Sequence, residues 1–303
     1  MLRSSKLTVR DHNLIWGMRT YLMGILNITP DSFSGDGLLG DQTEVDPGKL
    51  IEISLEMART FVAAGVDIID IGGESTRPGS APVSLDEEKE RILPIIQALS
   101  RQVDVLISVD TYKADVAEAA LESGADIVND VWSLHADPAL AEVIARFEVP
   151  IILMHNRSSW ANAEVRERLG GRYIGIPYEN LIEDIKRELM ESVDAARAAG
   201  IPDEHIILDP GVGFGKTVEQ NLELVDRLDE IRKLGFPVLL GASRKSFIGY
   251  TLDLPPEQRL EGTAAAVTIG IVRGADIIRV HDVAAMSRVA RMTDAIVRHP
   301  LSE

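Results

Sequence analysis

Eight short runs of β-branched and leucine-rich sequence, each leading into a polar or Gly-rich junction, recur along this chain and restrict its fold more than any other feature. They are 21–28 (YLMGILNI), 66–72 (VDIIDIG), 105–110 (VLISVD), 126–130 (DIVND), 150–155 (PIILMH), 205–210 (HIILDP), 237–243 (PVLLGAS) and 276–281 (DIIRVH). Near-continuous Val, Ile and Leu with little alternation is the pattern of strands buried on both faces, as a parallel sheet requires. Helical stretches separate the runs. After Asp46, a candidate N-cap, Pro47 takes the first helical position, and Leu50, Ile53, Met57 and Phe61 recur at helical spacing until Gly65 offers a left-handed stop. Stretches 113–123 and 185–199 end in the same way at Gly124 and Gly200. Eight strands alternating with helices predict an α/β fold, a single (β/α)8 TIM barrel over 1–303, with a doubly wound open sheet as the alternative. A chain of 303 residues holds a barrel of roughly 250 residues and an extension. The extension is expected at 6–20, where KLTV and LIWGM flank DHN and form a hairpin closing the barrel bottom. Residues 156–180 are polar and irregular, and read as an inserted loop after the fifth barrel strand.

In parallel barrels the chemistry sits at the C-terminal ends of the strands. Here those ends carry Asn27, Asp70, Asp110, Asn129, His155, Asp209, Ser243 with Arg244 and Lys245, and Arg279 with His281. An Asp after a strand also serves as a helix cap, yet capping does not explain a polar residue at all eight ends. The groups divide by chemistry. Asp110, Asn129 and Asp209 offer the acceptors and amide edge that suit a planar heterocycle with ring N–H and amino groups. Lys245, Arg279, His281 and Asn27 suit anionic oxygens, Arg by its bidentate grip on phosphate. Two Gly/Ser/Asp-rich loops, 29–37 (TPDSFSGDG) and 72–80 (GGESTRPGS), follow the first two strands and exceed the usual βα connection of about 2–6 residues. Loops of that kind close over substrates.

Several functions are disfavoured. The absence of cysteine rules out disulfides, thiolate nucleophiles and Cys-ligated zinc. A net charge of −17 argues against a nucleic-acid-binding face, so an anionic substrate must be captured by a few placed cations. Segment 209–217 (DPGVGFGKT) ends like a phosphate-binding loop, but Pro210 occupies the first required glycine. It reads instead as a tight turn that frees Phe214 to face a ligand. The six histidines form no metal-ligand spacing; magnesium, carried in on a substrate phosphate, needs only one or two protein ligands. The run 86–91 (DEEKER) reads as a solvated helix start. No apolar run is long enough to span a membrane, no secretory signal stands at the start, and a cytoplasmic location is expected.

The segments GILNITPDSFSGDG, GGESTRPGS, SVDTYKADVAEAALESGADIVNDV, MHNR, LDPGVGFGKT, GASRKSFIG and RVHDV, in that order between about residues 21 and 290, resemble the signature segments of bacterial dihydropteroate synthases. The resemblance implies a transferase of folate biosynthesis that condenses a dihydropterin methyl diphosphate with 4-aminobenzoate, releasing diphosphate. It further implies that Asp110, Asn129, Asp209 and Lys245 hold the pterin ring. Arg279 would stack on that ring and, with His281, Asn27 and Thr76, bind the diphosphate; Asn27 would also be the protein ligand of magnesium. Ser243, Phe214 and Pro78 would line the 4-aminobenzoate pocket, with Phe33 and Arg77 supplied by the two loops. Asp110, Asp209, Lys245 and Arg279 are the expected catalytic set, acting electrostatically on a dissociative, carbocation-like path without a protein nucleophile. A homodimer and sensitivity to sulfonamides, which imitate 4-aminobenzoate, are expected as well. Two other readings compete: a methyltetrahydrofolate:corrinoid methyltransferase on a similar barrel, and a catalytically silent paralogue that binds pterin.

Overall fold

In the computed structural model of the chain, residues 2–28, 46–75, 82–159, 162–166, 168–174 and 177–298 are described. The chain opens with an antiparallel hairpin, β1 (Lys6–Val9) and β2 (His12–Ile15), in register from Lys6 opposite Ile15 to Val9 opposite His12. There follow β3 (Tyr21–Asn27), α1 (Pro47–Ala63), β4 (Ile68–Gly72), α2 (Leu85–Leu99), β5 (Leu106–Asp110), α3 (Ala114–Glu122), β6 (Ile127–Asp130), α4 (Ala139–Phe147) and β7 (Ile151–Met154). A small ribbon, β8 (Ala163–Arg166) and β9 (Gly170–Tyr173), precedes α5 (Leu181–Ala198) and β10 (Ile206–Asp209). Then come α6 (Val218–Asp226), α7 (Leu228–Arg232), β11 (Leu239–Leu240), α8 (Ser246–Leu252), α9 (Leu260–Val272), β12 (Ile277–Val280) and α10 (Val283–Val297).

The sheet order is β10-β7-β6-β5-β4-β3-β12-β11, with every pair parallel. A parallel bridge between Leu208 and Val238, with Leu208 N–H donating to the Pro237 carbonyl at 3.0 Å, joins the two ends into a nearly closed barrel. This is a TIM barrel. Each of the eight apolar runs contains one barrel strand, although the run 237–243 keeps only two paired residues, Leu239 and Leu240.

Side-chain parity organises the barrel, since alternate residues of a strand face opposite sides. Leu22, Leu26, Ile69, Ile71, Ile107, Val109, Val128, Leu153, Leu208, Leu240 and Ile278 face the helices and belong to the large outer core. The other parity begins with Met23, Ile68, Leu106, Ile127, Ile152, Ile207, Leu239 and Ile277, which pack with Leu7, Leu14, Trp16 and Tyr21 into a separate core. The hairpin therefore plugs the N-terminal end of the barrel. Two residues further along, the same inward parity reads Ile25, Asp70, Ser108, Asn129, Met154, Asp209, Gly241 and Arg279. The strands are buried on both faces, as expected. The inner face is wholly apolar only at the lower end, and in the second layer Asp70, Ser108, Asn129, Asp209 and Arg279 join Ile25 and Met154.

Local signals explain the helices. Asp46 accepts a hydrogen bond from Lys49 N–H at 3.1 Å, Pro47 opens α1, and Gly65 follows its end at φ +86°. Gly124 and Gly200, at φ +109° and +94°, follow α3 and α5 in the same manner. The buried face of α1 is Ser54, Leu55, Ala58 and Phe61, while Leu50, Ile53 and Met57 are half-buried, so the stripe read from sequence lies at the edge of the true contact. Two further expectations change. The 156–180 insertion contains the β8–β9 ribbon, paired from Ala163 opposite Tyr173 to Arg166 opposite Gly170. The charge run 86–91 is not wholly solvated, because Glu88 is buried and bound to Lys113 Nζ at 2.6 Å. Among the described residues no helix is long and apolar enough to cross a membrane.

Candidate active site

The inward parity that fills the lower barrel with aliphatics places charge at its mouth. Asp70, Asn129, Asp209 and Arg279 share one layer, and Asn27, Asp110, Ser243 and His281 continue the same parity one step higher. Arg279 is the centre of the group. Its Nε donates to Asp70 Oδ2 and its Nη2 to Asp110 Oδ2, both at 2.6 Å. Asn129 Nδ2 also donates to Asp70 Oδ2, at 3.2 Å. Asp209 accepts from Gly211 N–H at 2.7 Å, and Lys245 Nζ donates to the Val212 carbonyl while lying 4.2 Å from the centre of the Phe214 ring. Ser243 Oγ lies 3.1 Å from His281 Nδ1 and accepts from His281 N–H at 3.2 Å. A side chain at Gly72 would touch Asn27 Oδ1 at 3.6 Å and Asp110 Cβ at 3.4 Å, so these two neighbours flank a small open cradle.

Burial and charge set the protonation of the group. Burial pushes the Asp110 carboxyl up to about 7, against the Arg279 guanidinium that pulls it down and with Asp70 pushing it further up. Burial raises Asp209 too, opposed first by Lys245 and then by the Gly211 N–H. Lys245 is brought down to about 8 by burial, opposed by Asp209. Burial also acts to lower Arg279, but Asp70 and Asp110 outweigh it and hold the guanidinium above its ordinary value. Fields from three acids and two bases thus meet at one largely enclosed mouth, an arrangement able to hold a hydrogen-bonding ring edge through its acids and anionic oxygens through its bases.

Of the residues expected at the site, Asn27, Asp110, Asn129, Asp209, Phe214, Ser243, Lys245, Arg279 and His281 come to this mouth. Phe33, Thr76, Arg77 and Pro78 lie outside the described residues. Two strand-end residues go elsewhere. Arg244, at φ +55°, turns its guanidinium to Asp282 with bonds of 2.9 and 2.6 Å. His155 sits on the outward parity of β7 and binds Glu188 and Lys216. Sequence reasoning gave Asp70 no role, yet it is wholly buried and holds both Arg279 and Asn129. The signal was available: counting two residues up from Ile68 puts Asp70 in the layer of Asn129 and Asp209. Among the described residues no group of three or more His, Cys, Asp or Glu is placed to hold a metal ion.

Known proteins resemble this chain over most of its length. The family described as pterin binding enzyme matches residues 23–281. A dihydropteroate synthase of Clostridium beijerinckii is 49% identical over 294 residues, covering 97% of this chain and 99% of the relative. A crystal structure of the dihydropteroate synthase of Clostridium difficile in the presence of pteroic acid superposes with a TM-score of 0.82 at 47% identity, covering 94% of this chain and 99% of that one. The Yersinia pestis dihydropteroate synthase in complex with a sulfonamide drug gives a TM-score of 0.84 at 38% identity, covering 96% of this chain and 98% of the other.

Proposed function

This chain belongs to the pterin-binding enzyme family and is an enzyme of its dihydropteroate synthase branch, and on that premise we propose how its barrel mouth divides the work. The reaction breaks the bond between the pterin methylene and the diphosphate oxygen, whose electron pair leaves with diphosphate. The 4-aminobenzoate nitrogen then supplies the pair for the new C–N bond and loses a proton.

Asp110, Asn129, Asp209 and Lys245 grip the ring edge. Arg279 lies against the ring and, with His281 and Asn27, faces the diphosphate. Ser243 and Phe214 border the place of the second substrate. The observation that carries this reading is the Asp70–Arg279–Asp110 clamp, which fixes a guanidinium between one wholly buried and one half-buried carboxylate in the barrel mouth. Departure of diphosphate leaves positive charge on the pterin methylene, and Asp110 and Asp209 are the fixed negative groups that favour it. No side chain is required as a nucleophile, because an aromatic amine aligned with such a cation reacts unaided.

Magnesium suits the mouth as a companion of the diphosphate. The Asn27 amide oxygen at the open cradle beside Gly72 is an appropriate hard ligand, and a substrate-borne ion needs few others. Bound there, such an ion would supply positive charge to offset that of the diphosphate. A homodimer is supported by α9, whose sequence LEGTAAAVTIGIV is apolar all round although only one side packs on the barrel. Ile269, Val272, Met292 and Ile296 stay exposed, and α9 and α10 border a groove of about 550 Å³. The acidic, cysteine-free chain fits a cytoplasmic location.

A coupled diphosphate-release assay decides the function. Release that depends on 4-aminobenzoate, with one dihydropteroate formed per diphosphate and competitive inhibition by a sulfonamide, is expected. No release, or turnover only with methyltetrahydrofolate and a corrinoid acceptor, contradicts it.

A further inference from the structure

We propose that Lys216, held by His155, is a positioning residue of the pterin subsite. It is the lysine that makes segment 209–217 resemble a phosphate-binding loop, yet it is almost wholly buried and points back into the protein. Its Nζ donates to His155 Nδ1 at 3.0 Å, to the Gly211 carbonyl at 2.9 Å and to the Phe214 carbonyl at 3.0 Å. Burial holds Lys216 well below the ordinary lysine value, but all three contacts of its Nζ are to acceptors, and only an ammonium has the three hydrogens to satisfy them together.

The histidine is held equally firmly. His155 Nε2 lies 3.0 Å from Glu188 Oε2, and that carboxylate also accepts from Arg157 Nε at 2.9 Å. An ionised carboxylate only accepts and an ammonium only donates, so the ring carries its hydrogen on Nε2 and offers the Nδ1 lone pair to Lys216. Burial, and then the charge of Lys216, lower His155 to about 4, which keeps this neutral form at working pH.

The segment under this rivet carries the pterin-facing groups. Gly211 N–H holds Asp209 Oδ1 at 2.7 Å, and the Val212 carbonyl holds Lys245 Nζ. Gly213 N–H donates to Asn221 Oδ1 at 2.6 Å, which secures the middle of the turn from α6. The turn lies flat on the backbone of residues 155–158. A Cβ on Gly211, at φ +69°, would come within 1.8 Å of the His155 carbonyl oxygen, and one on Gly215, at φ +62°, within 2.4 Å of the Arg157 carbonyl carbon. Only glycine permits that approach. Lys216 then ties the carbonyls of the turn to the His155 ring. The buried cation also lies close enough to Asp209 to favour its ionised form. The motifs MHNR and GVGFGK are in this account one device, which presents Asp209 and Lys245 to the ring at fixed spacing.

This inference rests on the pterin reading of the mouth, and the experiment separates the two. Steady-state kinetics, calorimetric titration with the pterin diphosphate and thermal unfolding are measured for the parent, Lys216→Met, His155→Asn and His155→Gln. An Asn amide oxygen stands where Nδ1 was and still accepts from Lys216, whereas Gln reaches Glu188 and withdraws that acceptor. Losing a buried, charge-assisted hydrogen bond corresponds to about tenfold or more in affinity. Lys216→Met and His155→Gln are therefore expected to raise the pterin KM and Kd about tenfold or more, with kcat changed far less, and His155→Asn to stay nearer the parent. A merely structural role lowers the unfolding temperature of both His155 variants alike and leaves the pterin KM of the folded fraction unchanged. That result overturns the proposal, as does a pterin Kd for folded Lys216→Met equal to the parent's. If Lys216→Met does not fold, the His155 pair decides. A parent without 4-aminobenzoate-dependent turnover overturns the functional reading as well.

Discussion

The two ends of this barrel are lined by the same inward-facing positions of the same strands, yet they are built from opposite materials. At the N-terminal end, Met23, Ile68, Leu106, Ile127, Ile152, Ile207, Leu239 and Ile277 close on Leu7, Leu14 and Trp16 of the hairpin and its exit. Two to four residues later the same strands present Asp70, Asp110, Asn129 and Arg279, bound to one another, and Asp209, held by the Gly211 N–H, all of them buried or half-buried. Burial of apolar surface stabilises the first end, whereas desolvation of charge costs free energy at the second. The difference teaches a division of labour. The lower end holds the barrel together, and the mouth keeps its charges ready for a ligand that completes their partners.

The largest expected effect separates the ends by activity. Asp110→Asn removes a carboxylate partner of Arg279 and, on the proposed mechanism, the charge that favours the pterin cation, and kcat/KM should fall by about 10²–10³-fold. Its unfolding midpoint should move less than that of a lower-end variant. If turnover survives unchanged, the electrostatic role is wrong.

The converse substitution is Ile127→Ala. Deleting a fully buried aliphatic from the lower core should cost about 2–5 kcal/mol in denaturant unfolding. The kcat/KM of the folded enzyme should stay close to the parent's. A large loss of pterin affinity in a well-folded Ile127→Ala would break the division between the ends.

A smaller effect, about tenfold per pH unit on each limb, is expected in the pH profile of kcat/KM. The proposed mechanism requires Asp110 ionised and Lys245 protonated, and burial brings these groups to about 7 and about 8. A narrow bell with limbs near those values is predicted, and Asp110→Asn should lose the acid limb. The sign for stability is opposite. The folded value of Asp110 lies above the unfolded carboxylate value of about 3.9, so the native state binds this proton more tightly. That contribution is complete below the unfolded value and is lost as pH rises through 7. Unfolding measured from pH 5 to 8 should show it in the parent and not in Asp110→Asn.

Much of this was legible in the sequence because strands and their ends are local features. The eight runs marked the eight strands, Asp46, Gly65, Gly124 and Gly200 marked helix boundaries, and the hairpin around DHN stands where two short apolar runs placed it. Nine expected site residues reach the mouth because strand ends converge once a parallel sheet closes. Other features depend on contacts between distant segments. Glu88 looks like part of a solvated charge run until Lys113 arrives from the β5–α3 junction. His155 ends a strand as the site residues do, but parity sends it outward to Glu188 and Lys216. The ribbon within 156–180 has Gly-rich, charged strands with little apolar alternation to announce it.

The most direct test of the contrast between the two ends is a crystal structure of the enzyme with the pterin diphosphate and magnesium. The ring should lie in the mouth with Asp110, Asn129, Asp209 and Lys245 within hydrogen-bond reach of its polar edge, and Arg279 still clamped by Asp70. The Trp16-capped lower core should be unchanged. A ring bound elsewhere, with the Asp70–Arg279–Asp110 clamp untouched by ligand, would contradict the account.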